Sequence, residues 1–98
     1  MVSFGISEIL QVTIGKKLTV LSGTDVKLNC PADGVPLPDA FWTKDGTNIT
    51  YVPGKLELER TSLLVTNISQ SDKGDYICVV YNSAGRDMAE SKIAVLCK

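Results

Sequence analysis

Apolar and polar residues alternate at a period of two in several short stretches of this chain, and turn-forming clusters recur roughly every eight to twelve residues. After Ser22-Gly23-Thr24-Asp25, the residues Val26, Leu28 and Cys30 alternate with Lys27 and Asn29, which predicts a strand with those three side chains inward. Pro31, Gly34, Pro36 and Pro38 then forbid regular structure. Ala40 to Lys44 reads as the next strand, closed by Asp45-Gly46, a strong hairpin dipeptide. Leu56 and Leu58 alternate with charged partners in a short strand, and Leu63, Val65 and Ile68 line the inner side of another strand and its exit. Gly74 to Asn82 is a longer strand, and Asn82-Ser83-Ala84-Gly85 turns into a last one that ends at Ile93 to Leu96. At the other end, Ile9 to Val20 predicts an edge strand, broken near Gly15 so that it changes sheets. No helix beyond a single turn at Ser69 to Lys73 is expected, and there is no internal repeat. This pattern predicts an all-β sandwich.

Composition narrows the chemistry. The chain has 98 residues, a net charge of −1 and no histidine. Without histidine, the usual general base, the Ser-His and Cys-His nucleophile pairs and most zinc sites are excluded. No glycine loop cradles a phosphate and no cofactor motif is present, so a non-enzymatic protein without cofactor or small-molecule substrate is expected. Lys16-Lys17 is too short for a basic patch and reads as a solvated edge, which argues against a nucleic-acid partner. No apolar run approaches the ~18 residues of a membrane span, and Met1 to Leu10 lacks the basic start of a signal peptide. The chain is expected to be one module of a longer protein. In that reading residues 1–7 are a linker or added for expression, 8–96 form the domain, and 97–98 begin the next linker.

Trp42 follows Cys30 by 42 − 30 = 12 positions, and Tyr76 precedes Cys78 by two. With Gly23-Thr24, Leu28-Asn29-Cys30, Gly34-Val35-Pro36, Trp42-Thr43-Lys44-Asp45-Gly46, Leu63 to Ile68, Asp72 to Cys78 and Asn82-Ser83-Ala84-Gly85, this frame resembles the intermediate (I-set) type of the immunoglobulin superfamily, from about Glu8 to Leu96. The stretch between Trp42 and Leu63 leaves no room for the extra strand pair of variable domains. It is also similar to the immunoglobulin repeats of secreted matrix proteins of the ADAMTS-like and papilin kind.

The resemblance implies an immunoglobulin-like two-sheet Greek-key sandwich. It also implies a Cys30–Cys78 bridge, with Trp42 packed on it and the Tyr76 hydroxyl pinning the corner before the second cysteine. Asp72 and Gly74 belong to that corner. Asp72 and Asp75 flank Gly74 without the spacing of a calcium loop. Such domains use this aspartate structurally, and Arg60 is its expected partner. A bridge closing 78 − 30 = 48 residue steps would remove roughly 4 kcal/mol of unfolded-state freedom.

Four further features bear on function. Asn48-Ile49-Thr50 and Asn67-Ile68-Ser69 are glycan acceptor sequons. Cys97 is left over; its expected partner is a cysteine of a following domain, with a quiet buried or solvent-facing thiol and a reactive or intermolecular thiol as the alternatives. If Tyr76, Cys78 and Val80 point inward, then Ile77, Val79 and Tyr81 point outward, and Phe41 joins them from the neighbouring strand. That apolar face is the candidate protein-binding surface, with weak self-association one possible use. Strand addition along Ile9 to Val20 or Arg86 to Leu96 ranks below it. The expected role is a protein-binding or adhesion module of an extracellular matrix or cell-surface protein, meeting other proteins or neighbouring immunoglobulin domains. The competing expectation is a structural spacer in an intracellular filament protein.

Overall fold

The computed structural model describes residues 9–30, 39–83 and 85–97. The irregular segment expected between Pro31 and Pro38, and Ala84 of the last turn, lie outside the described residues.

Among the described residues nine strands form: β1 (Ile9–Thr13), β2 (Leu18–Leu21), β3 (Asp25–Asn29), β4 (Asp39–Lys44), β5 (Thr47–Asn48), β6 (Leu56–Leu58), β7 (Ser62–Val65), β8 (Gly74–Asn82) and β9 (Gly85–Leu96). They divide into a four-stranded sheet of order β1-β3-β7-β6 and a five-stranded sheet of order β2-β9-β8-β4-β5. The chain passes between sheets after β1, β2, β3, β5 and β7, so that each sheet joins strands far apart in sequence. This is the expected all-β, immunoglobulin-like sandwich.

The sheet change expected near Gly15 takes place there. β1 lies parallel to β3, whereas β2 lies parallel to β9, with Leu18 beside Ile93 and Leu21 beside Leu96. Between them Gly15 adopts a φ of 150°, a conformation that side chains resist, and its N–H donates to the Ser91 hydroxyl at 2.9 Å. The Asp45-Gly46 hairpin forms with both residues at positive φ, 51° and 86°, the primed geometry that matches strand twist. It returns the chain into β5, a two-residue stub on β4. The space between Trp42 and Leu63 thus holds one short extra strand in the five-stranded sheet rather than the pair of a variable domain.

Alternation places the core. Val26, Leu28, Cys30, Leu63, Val65 and Ile68 are buried from one sheet, and Trp42, Tyr76, Cys78, Ile93 and Val95 from the other. The short strand expected at Leu56 and Leu58 forms as β6, at the sheet edge, where Leu58 stays 41% exposed. The single helical turn forms at Gln70–Asp72, flanked by Ser69 and Lys73.

Candidate protein-binding face

The face stands on a covalently braced frame. Cys30 and Cys78 are bonded across the two sheets, their Cα atoms 6.1 Å apart. Trp42, 1% exposed, is the cross-strand neighbour of Cys78 and fills the space beside the bridge. Its indole nitrogen is buried without a hydrogen-bond partner among the described residues. The Tyr76 hydroxyl donates to the carbonyl of Asp72, fixing the corner that feeds β8. Burial pushes the ionisation of that hydroxyl up, and the Asp72 and Asp45 charges add to the shift, so Tyr76 stays a donor at physiological pH. Gly74 sits at a φ of 150°, where a Cβ would lie 2.6 Å from the Asp45 carboxylate that holds the Asp75 N–H. A Cβ there would push that carboxylate off the Asp75 N–H, and the positive φ itself disfavours any side chain.

The partner of Asp72 is Lys55, not Arg60. The Lys55 ammonium lies 2.7 Å from the Asp72 carboxylate and also donates to the carbonyls of Thr66 and Asn67, each at 3.0 Å. Arg60 reaches instead toward Asp39, 3.7 Å away. The physical reason is register. Lys55 immediately precedes β6, whose pairing with β7 sets it beside the exit of β7, whereas Arg60 lies past the far end of β6. The other Asp72 contacts come from the Ser69 N–H at 2.8 Å and the Ser69 hydroxyl at 3.2 Å, which tie down the helical turn. Asp75 faces away, toward Lys92 at 4.0 Å.

Burial raises the Asp72 carboxyl, but the Lys55 ion pair and the Ser69 hydrogen bonds outweigh it and hold the group below its ordinary value of 3.8. A carboxylate depressed in the folded state contributes stability that is complete above the unfolded-state value and lost as pH falls through the folded one. Asp72→Asn should therefore cost about 1–3 kcal/mol at pH 7 through weakened charged hydrogen bonds. The wild type should lose part of that margin below pH ~4. Urea titrations across that range check this; equal pH slopes for both proteins would refute it.

The outer surface of the five-stranded sheet is arranged in cross-strand rows. In the central row Phe41 of β4 faces Val79 of β8, which faces Met88 of β9. On one side lie Asp39, Tyr81 and Arg86, and on the other Thr43, Ile77 and Glu90. Phe41 is 43% exposed, Tyr81 45% and Met88 58%, and the two rings stand 6.2 Å apart between centroids, tilted by 50°. Ile77 is half-buried.

Val79 corrects the expected face. It points outward by alternation, yet it is only 6% exposed, because Phe41 and Met88 flank it on both sides. It is the floor of the patch, and Met88 supplies the contact area that Val79 does not. Alternation within the sequence Arg86 to Glu90 carried a signal for Met88, but using it required the register of β9 against β8.

The remaining candidates are dispersed. Asn48 is exposed on β5, in the same cross-strand row as Thr43 and Ile77, so its sequon borders the face. Asn67 is exposed at a positive φ of 52°, its N–H bound to the Asp25 carboxylate and the following Ile68 buried. Cys97 is exposed just beyond β9, 3.5 Å from the Gln70 amide. At the edges, Lys16 and Lys17 are exposed ahead of β2, and among the described residues β2 pairs only with Ile93 to Leu96 of β9.

The chain matches the family described as the immunoglobulin I-set domain over residues 8–95. It is 41% identical over 66 residues to neurofascin of Gallus gallus, covering 67% of this chain and 5% of that protein. It is 36% identical over 89 residues to hemicentin-1 of Mus musculus, covering 89% and 2% respectively. With ADAMTS-like protein 3 of Homo sapiens it shares 33% over 88 residues, covering 89% and 5%. The chain thus spans between 2% and 5% of the length of these relatives. Among solved structures it is similar to the N-terminal eight immunoglobulin domains of Down Syndrome Cell Adhesion Molecule isoform 1.30.30, with a TM-score of 0.76 and 27% identity over 82% of this chain and 13% of that one. It is also similar to titin domain M7, with a TM-score of 0.72 and 36% identity over 87% of this chain and 90% of that one.

Proposed function

The chain belongs to the immunoglobulin I-set family, and from that premise we propose that it is a non-enzymatic protein-binding module of an extracellular, multidomain adhesion or matrix protein. The observation that carries the reading is the exposed cluster of Phe41, Tyr81 and Met88 on a sheet braced by the Cys30–Cys78 bridge. Aromatic residues are favoured at the centres of protein interfaces, and a rigid support lowers the entropy lost on docking. The bridge and the exposed sequons at Asn48 and Asn67 support an extracellular setting, as does the cell-adhesion name of one structural neighbour. The 8–96 unit would be joined to sister domains, with Cys97 paired beyond this chain.

A second reading, a spacer in an intracellular filament, is favoured by the likeness to titin domain M7. Protein from the native source separates the two. An oxidised Cys30–Cys78 pair with sugar on Asn48 supports the extracellular module, whereas free thiols and bare asparagines support the spacer.

The face itself is tested by immobilising the wild type beside Phe41→Ser and Tyr81→Ser and exposing all three to extracellular fractions. Each substitution should weaken retention of protein partners at least ~10-fold, while thermal stability changes little, as for surface sites in general. Undiminished retention by both variants would remove the face from the proposal.

A further inference from the structure

The same face has a charge pattern that fits one particular occupant. On β9, Arg86 and Glu90 stand two residues to either side of Met88, and all three are exposed. Among the described residues, neither Arg86 nor Glu90 takes part in an ion pair. The central row of Phe41, Val79 and Met88 is thus flanked by one row that ends in a positive charge and another that ends in a negative one.

We propose that this face pairs with the same face of a second copy of the chain, across a two-fold axis lying along the Phe41–Val79–Met88 row. Rotation about such an axis sets each strand over its own copy and exchanges the two flanking rows. Phe41 and Met88 then meet their own counterparts, and Tyr81 meets the partner's Ile77. Arg86 lies over the partner's Glu90, and symmetry repeats that pair. Asp39 faces the partner's Thr43, so no like charges are opposed. A two-fold axis along the strands instead would stack Asp75 on its own copy. It would also rely on Asp39, which already lies 3.7 Å from Arg60.

Size sets the strength. Three strands ~4.8 Å apart, each contributing about seven residues of ~3.4 Å, give a face of roughly 350 Å² per copy. The two faces together stay below the ~1,200 Å² of a stable interface. Single domains therefore pair weakly, and firm adhesion requires several copies in linked arrays.

This pairing rests on the reading of the face as a binding surface, and one experiment separates the two. Sedimentation equilibrium and NMR chemical shifts are followed up to about 1 mM, where a Kd near that value is visible. All proteins carry Cys97→Ser, so that thiol oxidation cannot imitate association, and thermal unfolding confirms that each variant is folded. The parent should dimerise. Arg86→Glu should weaken dimerisation at least ~10-fold, the reversed pair Arg86→Glu with Glu90→Arg should restore it to within about three-fold, and Phe41→Ser should weaken it at least ~10-fold. A parent that stays monomeric at the highest concentration, an Arg86→Glu variant that pairs as well as the parent, or a reversed pair no better than the single change would each overturn the proposal. If the parent is monomeric but extracellular capture still depends on Phe41, self-pairing falls and the binding surface stands; if capture is also independent of Phe41, both fall.

Discussion

Trp42→Ala is expected to lower the unfolding free energy by about 3–5 kcal/mol, the range for emptying a large aromatic site in a packed core. Its indole is 1% exposed, on β4 between β8 and β5, beside Cys78 and in one buried cluster with Val26, Leu28 and Leu63. Backbone pairing on both sides of β4 leaves little freedom for the walls to collapse into the gap. Against a typical domain stability of about 5–15 kcal/mol, the loss is a large fraction of the total. Trp42→Phe should recover much of it, because the indole nitrogen has no hydrogen bond to lose among the described residues. Denaturant midpoints at neutral pH measure both variants. A loss below ~1.5 kcal/mol for Trp42→Ala, outside the range for deleting a large core side chain, would mean that the indole is not the keystone described here.

Replacing Cys30 and Cys78 together by alanine is expected to cost about 4 kcal/mol, from the freedom regained by the 48-residue loop in the unfolded chain. The unfolded ensemble also expands, so the denaturant slope should steepen as the midpoint falls. An unchanged midpoint would show that the bridge adds nothing to the free energy of this fold. The two losses should not add. Trp42 and Cys78 are cross-strand neighbours in one cluster, and the triple variant should reveal a coupling of ~0.5–3 kcal/mol.

Much of this was legible before any coordinates, and the reason is local. Period-two alternation and turn chemistry act over a few residues, which is why β8 runs from Gly74 to Asn82 as read and the turn at Ser69 to Lys73 forms where expected. The Cys30, Trp42, Tyr76 and Cys78 frame combined local strand phase with a family resemblance, and the core forms around it. What escaped depends on how strands meet. Alternation puts Val79 on the correct face but says nothing of its burial, because its covering comes from Phe41 and Met88 on two other strands. The sequence places a basic partner for Asp72 at Arg60 rather than Lys55, because the choice between them turns on where β6 pairs with β7. Register between distant strands is not written in alternation, so a face can be located from sequence while its contact residues cannot.

The parallel pairing of β2 with β9 has a mechanical consequence. Both strands run in the same direction, from Leu18 beside Ile93 to Leu21 beside Leu96. Tension drawn back through the start of β2 and forward through the end of β9 slides them lengthwise. Their hydrogen bonds are then strained all at once instead of unzipping singly. Should that clasp yield, the sulfur link still keeps the 48 residue steps between Cys30 and Cys78 from stretching out. At ~3.4 Å per residue, roughly 160 Å of slack is withheld. A tether made of such units would give way in short, bounded steps.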